Sequence, residues 1–84
     1  MDTTNLPLST FSISEIARIV RTDWQKVNYA AKPYLDAMGE LNSIDDAYGF
    51  DSGKSVVAYF LCNASSWRGE CAKAVKSELK RRLK

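Results

Sequence analysis

Gly53-Lys54-Ser55 has the residue types that close a phosphate-binding loop. In such a loop, G-x-x-x-x-G-K-[ST], backbone amides wrap the phosphates while the lysine and hydroxyl meet their charge and the magnesium ion. Here Gly49 and Gly53 stand four apart, one residue short of that spacing. The preceding residues read as an acidic loop rather than a buried strand, and Asp45, Asp46 and Asp51 would repel a polyphosphate. The competing reading is a helix start, with Asp51 or Ser52 as the cap and Ser55 in the first turn. On that reading Lys54 faces solvent and no nucleotide is bound.

The other chemistry-bearing residues are few. Asp45, Asp46 and Asp51 offer carboxylates to a divalent cation, but their spacing is not that of an EF-hand loop and no glutamate follows at its twelfth position. Turn residues with solvated charge are the simpler account. The chain has no histidine and two cysteines, Cys62 and Cys71. That excludes a four-ligand structural zinc site and any Ser-His or Cys-His nucleophile. The two cysteines sit in apolar helical patterns and read as reduced core residues of a cytosolic protein. The expectation is therefore a non-enzyme with no catalytic residue, metal or cofactor.

The 84 residues suffice for one domain, which at this size buries about 60–65% of the surface its unfolded form exposes. The net charge of +2 hides an asymmetry. Five acids and no bases lie between Asp36 and Asp51, whereas seven bases face only Glu70 and Glu78 between Trp67 and Lys84. Such polarity marks either a surface for nucleic acid or an acidic partner, or a solvated helix whose last turn suits the macrodipole. The opening "MDTTNLPLST" lacks the basic and apolar regions of a signal peptide, and no run has the ~18 apolar residues of a membrane span. Asn63-Ala64-Ser65 matches a glycosylation sequon, which carries no meaning without a secretory route.

Hydrophobic spacing then supplies the elements. Residues 1–10 are polar and read as a loosely ordered segment, ahead of a helical domain over 11–84. Ser12 and Glu15 form a capping box, Phe11 and Ile16 a hydrophobic staple, and Ile13, Ile16, Ala17 and Val20 a stripe, predicting a helix over 13–21. Thr22 and Gln25 repeat the capping pattern, predicting a second helix from Asp23 with Trp24, Val27, Ala30 and Ala31 inward. Pro33 either kinks that helix or opens a third one reaching Leu41. A fourth is predicted over 53–64 and a last over 67–83, with Cys71, Val75, Leu79 and Leu83 on one face. No segment alternates with period two, so no sheet is expected. The fold class is all-α: a single small domain of four or five short helices around one core.

Two sets of residues could bind a macromolecule. The predicted first and second helices resemble a helix-turn-helix, with Gln25, Lys26 and Asn28 exposed to reach bases or phosphates. Against this, Arg21 stands where the turn usually has glycine, and Pro33 interrupts the recognition helix. The basic end adds Lys73, Lys76, Lys80, Arg81, Arg82 and Lys84 as phosphate contacts. Among the aromatics, Trp24, Tyr34 and Phe60 fall on apolar stripes and read as core. Tyr48 and Phe50 in the acidic loop, and Trp67 with Arg68, are either exposed anchors for a protein partner or folded back over the core.

From Lys26 onward the chain resembles a group of short uncharacterised proteins of phages, prophages and their bacterial hosts. The likeness rests on "NYAAKPYLDAM", "SIDDAYGFDSGKSVVAYFL" and "NASSWRGECAKAVKSELKRRL", about three quarters of the chain. It implies an accessory protein of mobile genetic elements, cytoplasmic in a bacterium, and transfers no activity and no site residues. The resulting expectation is a non-enzymatic protein that docks to another protein. The alternative is a nucleic-acid-binding regulator using the helix-turn-helix-like region or the basic last helix.

Overall fold

Ser12 starts the first helix as its spacing predicts. Its hydroxyl accepts from the Glu15 amide at 3.1 Å, and the Glu15 carboxylate accepts from the Ser12 amide at 2.8 Å. The next two amides would be orphans at a free helix end. Here Ile13 donates to the Asn42 carbonyl and Ser14 to the Leu41 carbonyl, at 3.0 and 2.7 Å. The start of the helix is thus docked on a distant loop, with every first-turn donor satisfied. The computed structural model that shows this describes residues 8–48 and 51–84.

Helix α1 spans Ile13–Asp23 and buries Ile13, Ile16, Ala17 and Val20. It runs two residues past the predicted end because Thr22 does not cap a new helix. Its hydroxyl instead bonds back to the Arg18 carbonyl at 3.0 Å, inside α1. The predicted second helix does not exist: residues 24–31 form no helix. Asn28 explains part of this, since its side-chain oxygen accepts from the Ala30 amide at 3.1 Å in a local turn that competes with helix. Its own carbonyl then accepts from Ala31 and Lys32, leading into α2, Lys32–Met38. Pro33 lies in the first turn of α2, where a missing amide hydrogen costs nothing. Leu41, beyond the helix, remains buried.

A loop and a two-residue antiparallel ribbon follow, β1 (Ala47–Tyr48) and β2 (Asp51–Ser52), with Ala47 opposite Ser52. This pairing corrects the expectation of no sheet, but it is too short to carry an alternating pattern. Ser52 is the cap of α3, Gly53–Cys62, accepting from the Ser55 amide at 3.1 Å. The Asp46 carboxylate accepts from the Asn42 and Ser43 amides at 2.8 and 3.2 Å, folding the loop against that cap. Gly53 has an ordinary backbone, and its significance is steric. A Cβ there would stand 2.9 Å from each of the Ser43, Ile44 and Asp46 carbonyl oxygens. Those carbonyls sit at the positive end of α3, where they suit the dipole. The glycine of the Gly-Lys-Ser triplet serves this close approach, and Lys54 is exposed, as the helix-start reading requires.

The last helix, α4, spans Glu70–Leu83 and starts three residues later than predicted. Its cap position is Gly69 at φ +114, a conformation side chains rarely adopt, which lets Trp67 turn inward before the helix begins. Residues 8–10, expected to be loose, form a 3-10 turn whose Leu8 carbonyl accepts from Arg82 at 2.7 Å; residues 1–7 lie outside the described residues. Helix α2 packs on α3, and α4 packs on both α1 and α3. The four helices enclose one apolar cluster, giving the single small all-α domain expected. Neither cysteine belongs to the buried set, contrary to expectation: Cys62 ends α3 exposed, and Cys71 is half-buried at its edge.

Three variants check the α3 start by thermal melting with and without ATP and magnesium. Gly53→Ala, which must push backbone apart, should lose about 1–3 kcal/mol. Ser52→Ala should lose about 1 kcal/mol. Lys54→Ala should lose nothing, and ATP should shift none of them. An ATP-induced rise abolished by Lys54→Ala alone would restore the phosphate-loop reading.

Candidate interaction surfaces

Trp67 settles the question left open for the aromatic anchors. It is 2% exposed and lies flat against Trp24, ring centroids 5.8 Å apart at 10°. Its indole N–H donates to Asp23 Oδ2 at 2.8 Å. Trp67 is therefore core and not an exposed anchor, because its polar atom finds a carboxylate at the end of α1. Trp24 in turn meets Phe60 edge-on at 6.3 Å, as their apolar positions predict. Arg68, next in sequence, is exposed. Tyr48 stands in β1 with its backbone opposite Asp51, and Phe50 lies outside the described residues.

The exposed aromatics are different residues. Tyr29 is 92% exposed and Tyr59 is 53% exposed. Tyr59 stacks on half-buried Tyr34 of α2 at 5.4 Å and 28°, so Tyr34 is a shared rim residue instead of core. The loop carrying Tyr29 is tethered to the end of α3. Asn28 donates to the Asn63 carbonyl at 3.4 Å, and the Asn63 side chain donates back to the Tyr59 carbonyl at 2.9 Å. Tyr34 and Tyr59 thus meet between α2 and α3, and the loop carrying Tyr29 is held to the end of α3. Tyr59 was detectable in the sequence as an aromatic off the Val56-Val57-Phe60 stripe. Tyr29 gave no comparable signal, since its exposure follows from the turn at Asn28.

The residues proposed for nucleic acid divide into three groups. Gln25 and Lys26 are exposed and line a groove of about 350 Å³ with Arg21, Lys32 and the edge of Trp24. They lie on irregular chain, and Asn28 spends its side chain on the Ala30 amide and the Asn63 carbonyl, so no recognition helix presents them. Arg81 and Arg82 are committed within the fold. Both bond Glu78 at 2.6 Å, and Arg82 also holds Leu8. The third group, Lys73, Lys80 and Lys84, is exposed. Lys76 belongs beside it but is anchored: its ammonium donates to the Trp67 carbonyl at 2.6 Å and stands 5.9 Å from the indole centre. Among the described residues, the acidic loop brings no cluster of candidate metal ligands together. Asp46 is occupied with amides, and no group of three acids or cysteines among the described residues is placed to hold an ion. Nor is any described helix long and apolar enough to cross a membrane. No protein-family model, curated protein or solved structure matches this chain.

Glu78 sets an acid dependence. Its hydrogen bond from Arg81 holds the carboxyl below its ordinary 4.5, helped by Arg82 and opposed by burial. The folded form therefore binds fewer protons than the unfolded one. Its stabilisation is complete above about pH 4.5 and is lost as pH falls through the lower folded value. Glu15, held down by the Ser12 amide, adds to the same window. Glu78→Gln should melt lower than the native chain at pH 7 and converge toward it near pH 3. Parallel profiles would contradict the assignment.

Proposed function

We propose that this chain is a non-enzymatic accessory protein that docks onto a protein partner through the tyrosine surface of α2 and α3. The observation that carries the reading is the Tyr34–Tyr59 stack, half open to solvent, with Tyr29, 92% exposed, on a loop tethered to the end of α3. Tyrosine brings a large apolar ring and a hydroxyl at low cost in side-chain entropy, which is why it dominates contact hot spots. The fold gains little from a ring left in water at Tyr29, whereas a partner's apolar groove would gain most of its area. The stack pre-orders Tyr59, so less conformational freedom remains to be lost on binding. The setting we propose, a bacterial cytoplasm and a mobile element, rests on the sequence resemblance alone.

Site-specific crosslinking tests the reading in bacterial cells. A photoreactive phenylalanine derivative placed at Tyr29 or Tyr59 should trap one discrete protein, and the same group at exposed Lys54 should not. With that protein in hand, Tyr29→Ala and Tyr59→Ala should each weaken binding by roughly 30-fold or more, the effect of a hot-spot residue. Equal trapping from all three positions, or none from the tyrosines, would overturn it.

A further inference from the structure

Lys73, Lys76 and Lys80 fall on one face of α4, and Arg68 stands just before its start. Three of them, with Gly69 and Ala72 between, rim a shallow cavity of about 300 Å³ over Trp67. No ion pair among the described residues involves any of the four. Seven residues from Lys73 to Lys80 span roughly 10.5 Å, so the charges follow one another at intervals of a few ångström. The acid of the first turn is Glu70, and Glu78 is taken up by Arg81 and Arg82.

At two of the four positions the placement does not help the helix. Arg68 and Lys73 lie at the start of α4, where the helix dipole disfavours cations. Lys76 is held in place by the Trp67 carbonyl, so one charge is fixed at the centre of the row. Burial pushes the Lys76 ammonium below the usual lysine range, and the Lys80 and Arg68 charges push it further the same way. Those two cations are therefore close enough to repel it. A row of like charges kept together without counter-ions is relieved by an anion that matches its length.

We propose that this face of α4 binds the phosphodiester backbone of nucleic acid, without reading sequence. A protein surface is the poorer fit, because lysine is depleted from protein–protein contact regions and such contacts need apolar anchors that the row lacks. Phosphates need only point charges, which lysines supply, and their repeated charge matches a linear row. The inference narrows the basic end from seven residues to four, leaving out Arg81, Arg82 and the last residue, Lys84, and it is independent of the tyrosine surface.

Fluorescence anisotropy with a labelled 20-base-pair duplex, and with one of its strands, tests this on the intact chain. Four phosphate contacts predict that duplex affinity falls about 150-fold between 50 and 200 mM salt. In Lys73→Ala or Lys80→Ala that fall should shrink to about 40-fold, with weaker binding at 50 mM. Arg81→Ala and Lys54→Ala should leave the salt dependence unchanged, and circular dichroism should show all four variants folded. Binding to the duplex, the single strand or both identifies the preferred source of phosphodiester, provided it depends on Lys73 and Lys80. No binding at 50 mM salt, a salt dependence indifferent to Lys73 and Lys80, or one reduced equally by Lys54→Ala would overturn the proposal. So would displacement of the duplex by polyglutamate as effectively as by unlabelled DNA of equal charge.

Discussion

The stack of Trp24 on Trp67, tied by the Trp67 indole to Asp23, is the contact on which the arrangement of this small domain depends. Trp24 is the first residue after α1 and Trp67 precedes α4, so one interaction ends one helix and aims another. Phe60 extends it edge-on into α3. Large aromatic rings supply much of the apolar area available to a chain of this length, and paired rings add about 0.5–1.5 kcal/mol beyond burial. The polar cost is met as well: the indole N–H has its carboxylate, and no buried side-chain polar atom of the described residues lacks a partner. Gly69 at positive φ follows from the same constraint, since the chain must reverse after Trp67 before α4 can start.

A second constraint works at the other end of α1. The turn after α2 gives its Leu41 and Asn42 carbonyls to the start of α1, and the Ser43, Ile44 and Asp46 carbonyls crowd Gly53 at the start of α3. Two helix starts are thus served by one short loop. This explains why a loop rich in Asp, Ser and Asn, which resembles a ligand site by composition, is occupied with structural hydrogen bonds. It also gives each residue of Gly-Lys-Ser a place in the fold: the glycine is required by packing, the serine lies in the first turn, and the lysine is exposed.

Local signals in the sequence were legible where the structure is local. The Ser12–Glu15 capping box, the α1 stripe, the start of α3 at Asp51 or Ser52, the inward face of α3 and the inward Val75 and Leu79 of α4 all needed only residues within a few positions of one another. The failures share a cause. Thr22-x-x-Gln25 carries the same capping signature as Ser12-x-x-Glu15, yet no helix follows: Thr22 bonds back into α1, Asn28 turns the chain, and Trp24 stacks on a ring more than forty residues away. Trp67 read equally well as surface or core for the same reason. Tyr34 and Cys71 fell on apolar stripes but sit at the rim, since a stripe fixes a face and not its depth. The basic end offered seven interchangeable cations in sequence. Contacts with Glu78, Leu8 and the Trp67 carbonyl sort them into structural and unpaired groups.

That sorting leaves a compact division of labour, with tryptophans inside, Tyr34 and Tyr59 between α2 and α3, and unpaired cations along α4. All of it presupposes that Asp23, Trp24 and Trp67 act as a unit. A double-mutant cycle in urea with Asp23→Ala, Trp67→Phe and the double variant measures this directly. If the indole–carboxylate bond holds the junction, the coupling energy should be about 1 kcal/mol or more. Additivity of the two substitutions within about 0.3 kcal/mol would contradict the account, placing the α1–α4 junction under the control of general burial instead.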